Sequence, residues 1–184
     1  DETQRVEHVL GVVTVIQQAT KPIAASPAKQ LHAELAALRI SLRQQYSIKS
    51  LVFRSRFMQR VVDQIDVARK SNVFVSLRGE AGVGKEHVAR VIHYESAGGI
   101  RSFVPLDCRG LSALQLKQAL HRLLDADAAD SSILALQPGT LYLDDVEFLS
   151  RDLQARLLAA FQPGEVGRRL ELRLMSSSQI DLRS

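Results

Sequence analysis

Tryptophan is absent from this chain, aromatic residues make up only 5% of its 184 positions, and a single cysteine occurs, at position 108. With so few rings, the core must be built mainly from leucine, valine, isoleucine and alanine. A hydrophobic content of 46% suffices for one core domain with extensions. One cysteine excludes an internal disulfide, and its apolar neighbours predict that Cys108 is a small buried hydrophobe. No apolar run reaches the length of a membrane span, and the N-terminus lacks the charged-then-apolar order of a secretory signal. These absences predict a cytoplasmic α/β protein with no membrane partner. His8, His32, His87, His93 and His121 show no paired metal spacing with a carboxylate or the cysteine, and all fall in predicted helices. Surface or half-buried structural roles are expected for them. The formal charge of +4 comes from scattered lysine and arginine. Arg168-Arg169 reads as a solvated turn in preference to a phosphate contact, and no basic recognition helix is present for direct DNA binding. There is no internal repeat and no low-complexity tract.

What the chain does have is a glycine-rich loop. Residues 79 to 86 read Gly-Glu-Ala-Gly-Val-Gly-Lys-Glu, and Gly79, Gly84 and Lys85 have the spacing of a phosphate-binding loop. Before it, Val73-Phe74-Val75-Ser76-Leu77 predicts a buried strand. After it, Val88, Val91 and Ile92 recur on one helical face. Glycines let the backbone curl so that N–H groups converge on phosphate oxygens, and the helix N-terminus adds positive potential. Glu80, Ala81, Gly82 and Val83 complete the loop, and Lys85 would reach the outer phosphates. A tight strand-to-helix turn that binds nothing is the competing reading. Glu86 stands where the general pattern carries a magnesium-binding Ser or Thr.

A second constellation is Gly139-Thr140-Leu141-Tyr142-Leu143-Asp144-Asp145, an apolar strand ending in two carboxylates. In open α/β sheets ligands sit beyond the carboxyl ends of strands, so acids placed there face the phosphates. Asp144 would hold Mg2+, usually through water, and Asp145 would orient the attacking water.

The stretch GEAGVGKEHVARVIH, Gly79 to His93, resembles the phosphate loop and following helix of bacterial sigma-54-dependent transcriptional activators, whose central domain is an AAA+ ATPase. Glu86 matches that family. GTLYLDDVEFLSRDLQARLLAAFQ, Gly139 to Gln162, resembles its acidic strand and next helix. Leu51-Val52 and residues 55 to 65 resemble the segment that packs on adenine, and Phe103 to Cys108 the second strand. Arg173 to Gln179 resembles the strand carrying the γ-phosphate sensor. The resemblance covers roughly residues 46 to 184. It implies ATP and Mg2+ as ligands, a homo-oligomer forming a ring in the full-length parent, and a sigma-54 RNA polymerase holoenzyme as partner.

This chain also departs from the family pattern. Asp145 stands where the family has Glu, one methylene longer, and misplacement of that size can cost about a hundredfold in rate. Asp107 occupies the switch position of an Asn that pairs with that Glu, so two facing acids are expected to repel unless a proton or Mg2+ intervenes. Gln179 replaces the sensor Asn. Residues 111 to 138 form a shorter segment than in the family and contain no GAFTGA-like sequence, the loop that grips sigma-54.

Two helices precede this region. Val6, Val9, Val13 and Ile16 place a seam on a helix over 5–19, and the family resemblance implies that residues 1–20 close an upstream GAF-like sensory domain. Residues 21–46 read as a linker whose helix carries Leu31, Leu35, Leu38 and Leu42 at four-three-four spacing, suited to pairing with a second copy. Packing of each helix on its own domain is the alternative. Residues 47–184 read as a partial AAA+ domain. Helices are predicted over 56–69, 84–96, 112–125 and 151–162, and strands over 73–78, 102–107, 140–144 and 170–176. Alternation of this kind predicts a parallel sheet with helices on both faces, a P-loop NTPase fold incomplete at its C-terminus. The family resemblance implies the strand order second, third, fourth, first. It also implies a fifth strand, arginine fingers and a helical lid beyond residue 184, so this fragment is expected to turn over ATP poorly. Two functions stay open: an ATPase that remodels a sigma-54 holoenzyme, or a degenerate nucleotide-binding signalling or scaffold module without hydrolysis or sigma-54 contact.

Overall fold

A computed structural model of the chain describes residues 27–124, 138–162 and 172–180; the helix expected over 5–19 and the Arg168-Arg169 turn lie outside them. The elements run α1 (Pro27–Gln45), α2 (Arg56–Arg69), β1 (Val75–Arg78), α3 (Lys85–Tyr94), β2 (Ser102–Asp107), α4 (Ala113–Leu124), β3 (Pro138–Asp144), α5 (Arg151–Ala160) and β4 (Arg173–Ser178). Short polar residues set the helix starts. Ser55 accepts the Met58 N–H at the head of α2, and Ser150 accepts that of Leu153 at the head of α5. Ahead of α4, Ser112 and Gln115 form a reciprocal box: Gln115 N–H donates to Ser112 Oγ at 3.3 Å, and Ser112 N–H to Gln115 Oε1 at 2.9 Å.

The four strands are parallel in the order β1-β4-β3-β2, as the resemblance implied. Side chains alternate across a strand, and β3 shows how this builds two cores. Leu141 and Leu143 join Leu116 and Leu120 of α4 and Leu153 and Leu157 of α5 on one face. Tyr142, between them, packs on the other face with Met175, Ile65 and Ala68 of α2, and Ala89, Val91 and Ile92 of α3. Helices therefore cover both faces. Among the described residues no helix is long and apolar enough to cross a membrane.

The strand before the glycine loop differs from expectation. Val73 and Phe74 precede β1 and remain half exposed, and β1 itself alternates half-buried with exposed residues. Among the described residues β1 pairs with β4 alone, which leaves its other side uncovered there. β4 begins at Arg173 and continues through Ser178, past the apolar stretch, because Leu77 and Arg78 of β1 still pair with Ser177 and Ser178.

Two buried polar side chains tie layers together. Arg173 donates from Nη2 to the Ala68 carbonyl at 2.8 Å and from Nε to that of Val73 at 3.2 Å, a cation set against the C-terminus of α2. Burial lowers its pKa. His93, expected at or near the surface, is fully buried. Its Nε2–H donates to the Arg101 carbonyl at 3.2 Å, which leaves Nδ1 to accept from the Thr140 hydroxyl at 2.8 Å. Cys108 is buried as expected, and burial pushes its thiol up to about 12.

α1 leads into a junction seated on α3. Tyr46 stacks on Tyr94 with centroids 5.6 Å apart, the Ile48 N–H donates to Glu95 Oε1 at 2.6 Å, and Ser50 Oγ lies 2.9 Å from His87 Nε2. Arg90 reaches over the Tyr46 ring. Farther up α1, Leu31 and Leu38 are 44% and 56% exposed, and Leu35 and Leu42 are half-buried, so the seam is incompletely covered by its own chain.

Burial, reinforced by the charges of Arg173, Arg90 and Arg39 and partly opposed by the Arg101 carbonyl, lowers the His93 pKa to about 4. Its value in the unfolded chain is about 6.5. Below that pH the unfolded chain takes up a proton that the fold refuses, so stability is full above about 6.5 and falls as the pH drops toward 4. Between pH 7 and pH 5 the wild type should lose about 2 kcal/mol more than a His93→Gln variant, read from urea midpoints at each pH.

Candidate functional site

β1 ends at Arg78, and the chain turns through Gly79–Gly84 into α3. Gly82 and Gly84 have φ of 78° and 90°, a region where an added Cβ costs about 1–2 kcal/mol. The glycines are thus what allow the loop to curl. Gly84 is also the N-cap of α3 and supplies no side-chain acceptor for the first N–H groups of the helix. The start of the loop is pinned to the sheet by the Gly79 N–H, which donates to the Ser178 carbonyl at 3.2 Å. Lys85, the first residue of α3, folds back over the loop, its ammonium donating to the carbonyls of Gly79 at 2.9 Å and Glu80 at 3.1 Å. Those neutral acceptors are weaker than a phosphate oxygen would be, so the lysine can exchange them for an anion. Glu80, Ala81 and Val83 lie exposed on the loop's outer side. Glu86 pairs with Arg90 one turn on, at 2.5 Å, and the Arg90 guanidinium also covers Phe103. Leu51 packs into the core beside the loop helix, while Val52 is 78% exposed.

The acids stand across from this loop. Asp144 Oδ1 accepts from the Tyr142 hydroxyl at 3.0 Å and from Ser177 Oγ. Burial, above all, raises the Tyr142 pKa, so the phenol stays a donor. Ser177 Oγ in turn accepts the Asp145 N–H at 3.1 Å. Asp145 has φ of 50°, a left-handed conformation that aspartate tolerates better than most residues, and it starts the 3-10 turn Val146–Phe148. The Gln179 side-chain amide lies 3.3 and 3.2 Å from the two Asp145 carboxylate oxygens. The Gln179 N–H donates to Glu147 Oε1 at 3.0 Å, and Glu147 Oε2 is buried without a hydrogen-bond partner.

The sequence-predicted residues are thereby sorted. The glycine loop, Lys85, Asp144, Asp145 and Gln179 meet at one end of the sheet, with Gly79 beside Ser178 and Gln179 beside Asp145. Asp107 does not confront Asp145. Its Oδ1 accepts the N–H groups of Arg109 at 2.9 Å and Gly110 at 2.8 Å, so the turn after β2 satisfies it locally in place of its neighbour. Glu86 is committed to its helix. Sequence reasoning missed Tyr142 and Ser177 as partners of the acids, and Glu147 as the acceptor of the Gln179 N–H. The first two left only the alternation of strand residues as a signal, and Glu147 left none.

As a magnesium site, these residues offer carboxylate oxygens from Asp144 and little more. Magnesium prefers six oxygens in octahedral array, keeps several waters, and is commonly held by one or two carboxylates plus substrate phosphates. The donor set fits an ion held mainly by phosphate and water and only secondarily by Asp144.

Residues 51–183 match the family described as the Sigma-54 interaction domain. The Nif-specific regulatory protein of Azotobacter vinelandii is 33% identical over 171 residues, covering 80% of this chain and 31% of that protein. The anaerobic nitric oxide reductase transcription regulator NorR of Vibrio vulnificus (strain CMCP6) is 32% identical over 154 residues, covering 76% and 29%. The chain thus spans about a third of the length of the curated relatives it matches. Among solved structures, the P-loop NTPase domain of the sigma-54 transport activator from E. coli aligns with a TM-score of 0.51 at 22% identity, over 72% of this chain and 81% of that one. NtrX from Brucella abortus in complex with ATP aligns with a TM-score of 0.56 at 23% identity, over 85% and 34%. These two likenesses show the fold.

Proposed function

The chain belongs to the Sigma-54 interaction domain family as the AAA+ domain of a sigma-54-dependent, NtrC-like activator, and from that premise we propose that it binds MgATP on residues 79–86. One observation carries this: a glycine loop in left-handed conformation opens an uncapped helix whose first residue is Lys85, and Gly79 is tied to the strand that ends in Gln179. Backbone N–H groups of the loop cradle the phosphates, and Lys85 adds a mobile positive charge. Asp144, held in place by Tyr142 and Ser177, takes the magnesium side, and Asp145 and Gln179 face the terminal phosphate. MgATP, when bound, supplies the phosphoanhydride that hydrolysis would break. The Leu51-Val52 segment would receive the base, to which the exposed Val52 would offer apolar surface.

A second reading is favoured by a specific contact. Asp145 is both shorter than glutamate and engaged at both carboxylate oxygens by the Gln179 amide, an arrangement suited to holding the acid and not to activating water. We infer a module that binds nucleotide, hydrolyses it weakly or not at all, and signals through its state of association. Asp107 then acts in its own turn and not as a switch. The protein works in the cytoplasm, where a sigma-54 holoenzyme is the partner of the family, and it touches neither DNA nor membrane through this stretch. The linker seam of Leu31, Leu35, Leu38 and Leu42 on α1 pairs with a second copy, since it is apolar, flanked by charge and incompletely covered.

Three measurements follow. At about a hundred times its dissociation constant, MgATP or ADP should stabilise the protein by about 2.7 kcal/mol in thermal melts, and Lys85→Ala should abolish the shift; equal shifts in both proteins would exclude the loop as the site. In a steady-state ATPase assay with Lys85→Ala as blank, Asp145→Glu should raise turnover, because the longer acid reaches past Gln179. Robust wild-type hydrolysis that falls on this change would sink the weak-hydrolysis reading. Finally, Leu35→Asp combined with Leu38→Asp should shift sedimentation toward monomer, and a wild type already monomeric would leave α1 packed on its own domain.

A further inference from the structure

Glu147 lies outside both motifs and is nevertheless built into the acid end of the sheet. The left-handed conformation at Asp145 starts the 3-10 turn that carries residue 147 back toward β4. There Glu147 Oε1 accepts the Gln179 N–H, while the Gln179 side chain reaches the two oxygens of Asp145. Gln179 is thus gripped at both ends by carboxylates two residues apart in sequence. The other oxygen, Oε2, is shut away from solvent and has no partner. A buried acceptor left unmade is unfavourable, and its retention in a site where every neighbouring acid is hydrogen-bonded marks a position with a task. Oε2 is closed to solvent, and Oε1 is already engaged by the Gln179 N–H.

We propose that Glu147 is a positioning residue: by fixing the Gln179 main chain it aims the Gln179 amide at Asp145 and at the terminal phosphate of the bound nucleotide. This rests on the nucleotide reading above. Gln179 directly follows Ser178, whose carbonyl holds the first residue of the phosphate loop, so Gln179 sits next to where a third phosphate would lie. The side chains of Glu147 and Gln179 then govern how the site tells three phosphates from two, while the loop and Lys85 hold the part common to both nucleotides.

Two readouts separate the role of Glu147 from the nucleotide reading. Without nucleotide, the Gln179 side-chain amide protons, followed by NMR, should show slowed exchange with water in the wild type. Glu147→Ala should remove that protection, and Glu147→Gln, whose amide oxygen still accepts the Gln179 N–H, should keep it. With fluorescent ATP and ADP analogues, Glu147→Ala should lower the ATP-to-ADP affinity ratio about tenfold with ADP affinity unchanged, and Glu147→Gln should restore it. In a Gln179→Ala background, Glu147→Ala should change the ratio no further, because both act through one contact. Unchanged Gln179 exchange in Glu147→Ala, or an equal loss of ATP and ADP affinity, would overturn the proposal. A wild type that binds neither analogue would overturn the nucleotide reading alone, since the exchange experiment still decides the positioning role.

Discussion

The hydrogen bond from the Gly79 N–H to the Ser178 carbonyl joins two halves of a site that are far apart in the chain. It closes the parallel pairing of β1 with β4, in which Arg78 stands beside Ser178. Parallel strands need crossovers, and among the described residues this pairing encloses the helices α3, α4 and α5 and the strands β2 and β3. Only when β4 has inserted between β1 and β3 does the glycine loop lie next to the acids. The site is therefore a product of the whole sheet and not of any local motif, and its integrity is tied to the two cores that hold β3 and β4 in register.

The charges at this end are arranged with economy. Each acid is held by a neutral donor: Asp144 by Tyr142 and Ser177, Asp145 by Gln179, Asp107 by backbone N–H groups of its own turn. The basic side chains near the loop are engaged elsewhere, Lys85 on loop carbonyls and Arg90 on Glu86. No ion pair locks acids to bases across the cleft among the described residues. An anion carrying its own cation can enter without first breaking a strong pair, which is the electrostatic condition for reversible binding.

Much of this was legible beforehand, for identifiable reasons. Helix α2 occupies the predicted span 56–69, and Ser55 caps its first turn there. The two-sided sheet followed from the alternation of strands and helices. The exposure of Val73 and Phe74 was not legible, because β-branched and aromatic residues suit buried and half-exposed strands alike. His93 was misjudged for a related reason. Its burial depends on Thr140 and the Arg101 carbonyl, which come from elsewhere in the chain to satisfy both ring nitrogens. Asp107 was set against Asp145 by the family resemblance, which gave no sign that the N–H groups of Arg109 and Gly110 would engage it. Glu147 had no periodicity or motif to announce it; a left-handed aspartate and a 3-10 turn bring it to β4.

The junction after α1 has a mechanical side. Tyr46 lies against Tyr94, Ile48 is bonded to Glu95 and Ser50 to His87, so the end of the linker grips α3 along its length. A displacement of α1 that kept the Tyr46–Tyr94 stack and the Ile48–Glu95 bond intact would carry α3 with it. Because α3 begins at Lys85, its far end is the floor of the glycine loop. The segment that follows α1 is thus fastened to the same helix that opens with the loop lysine.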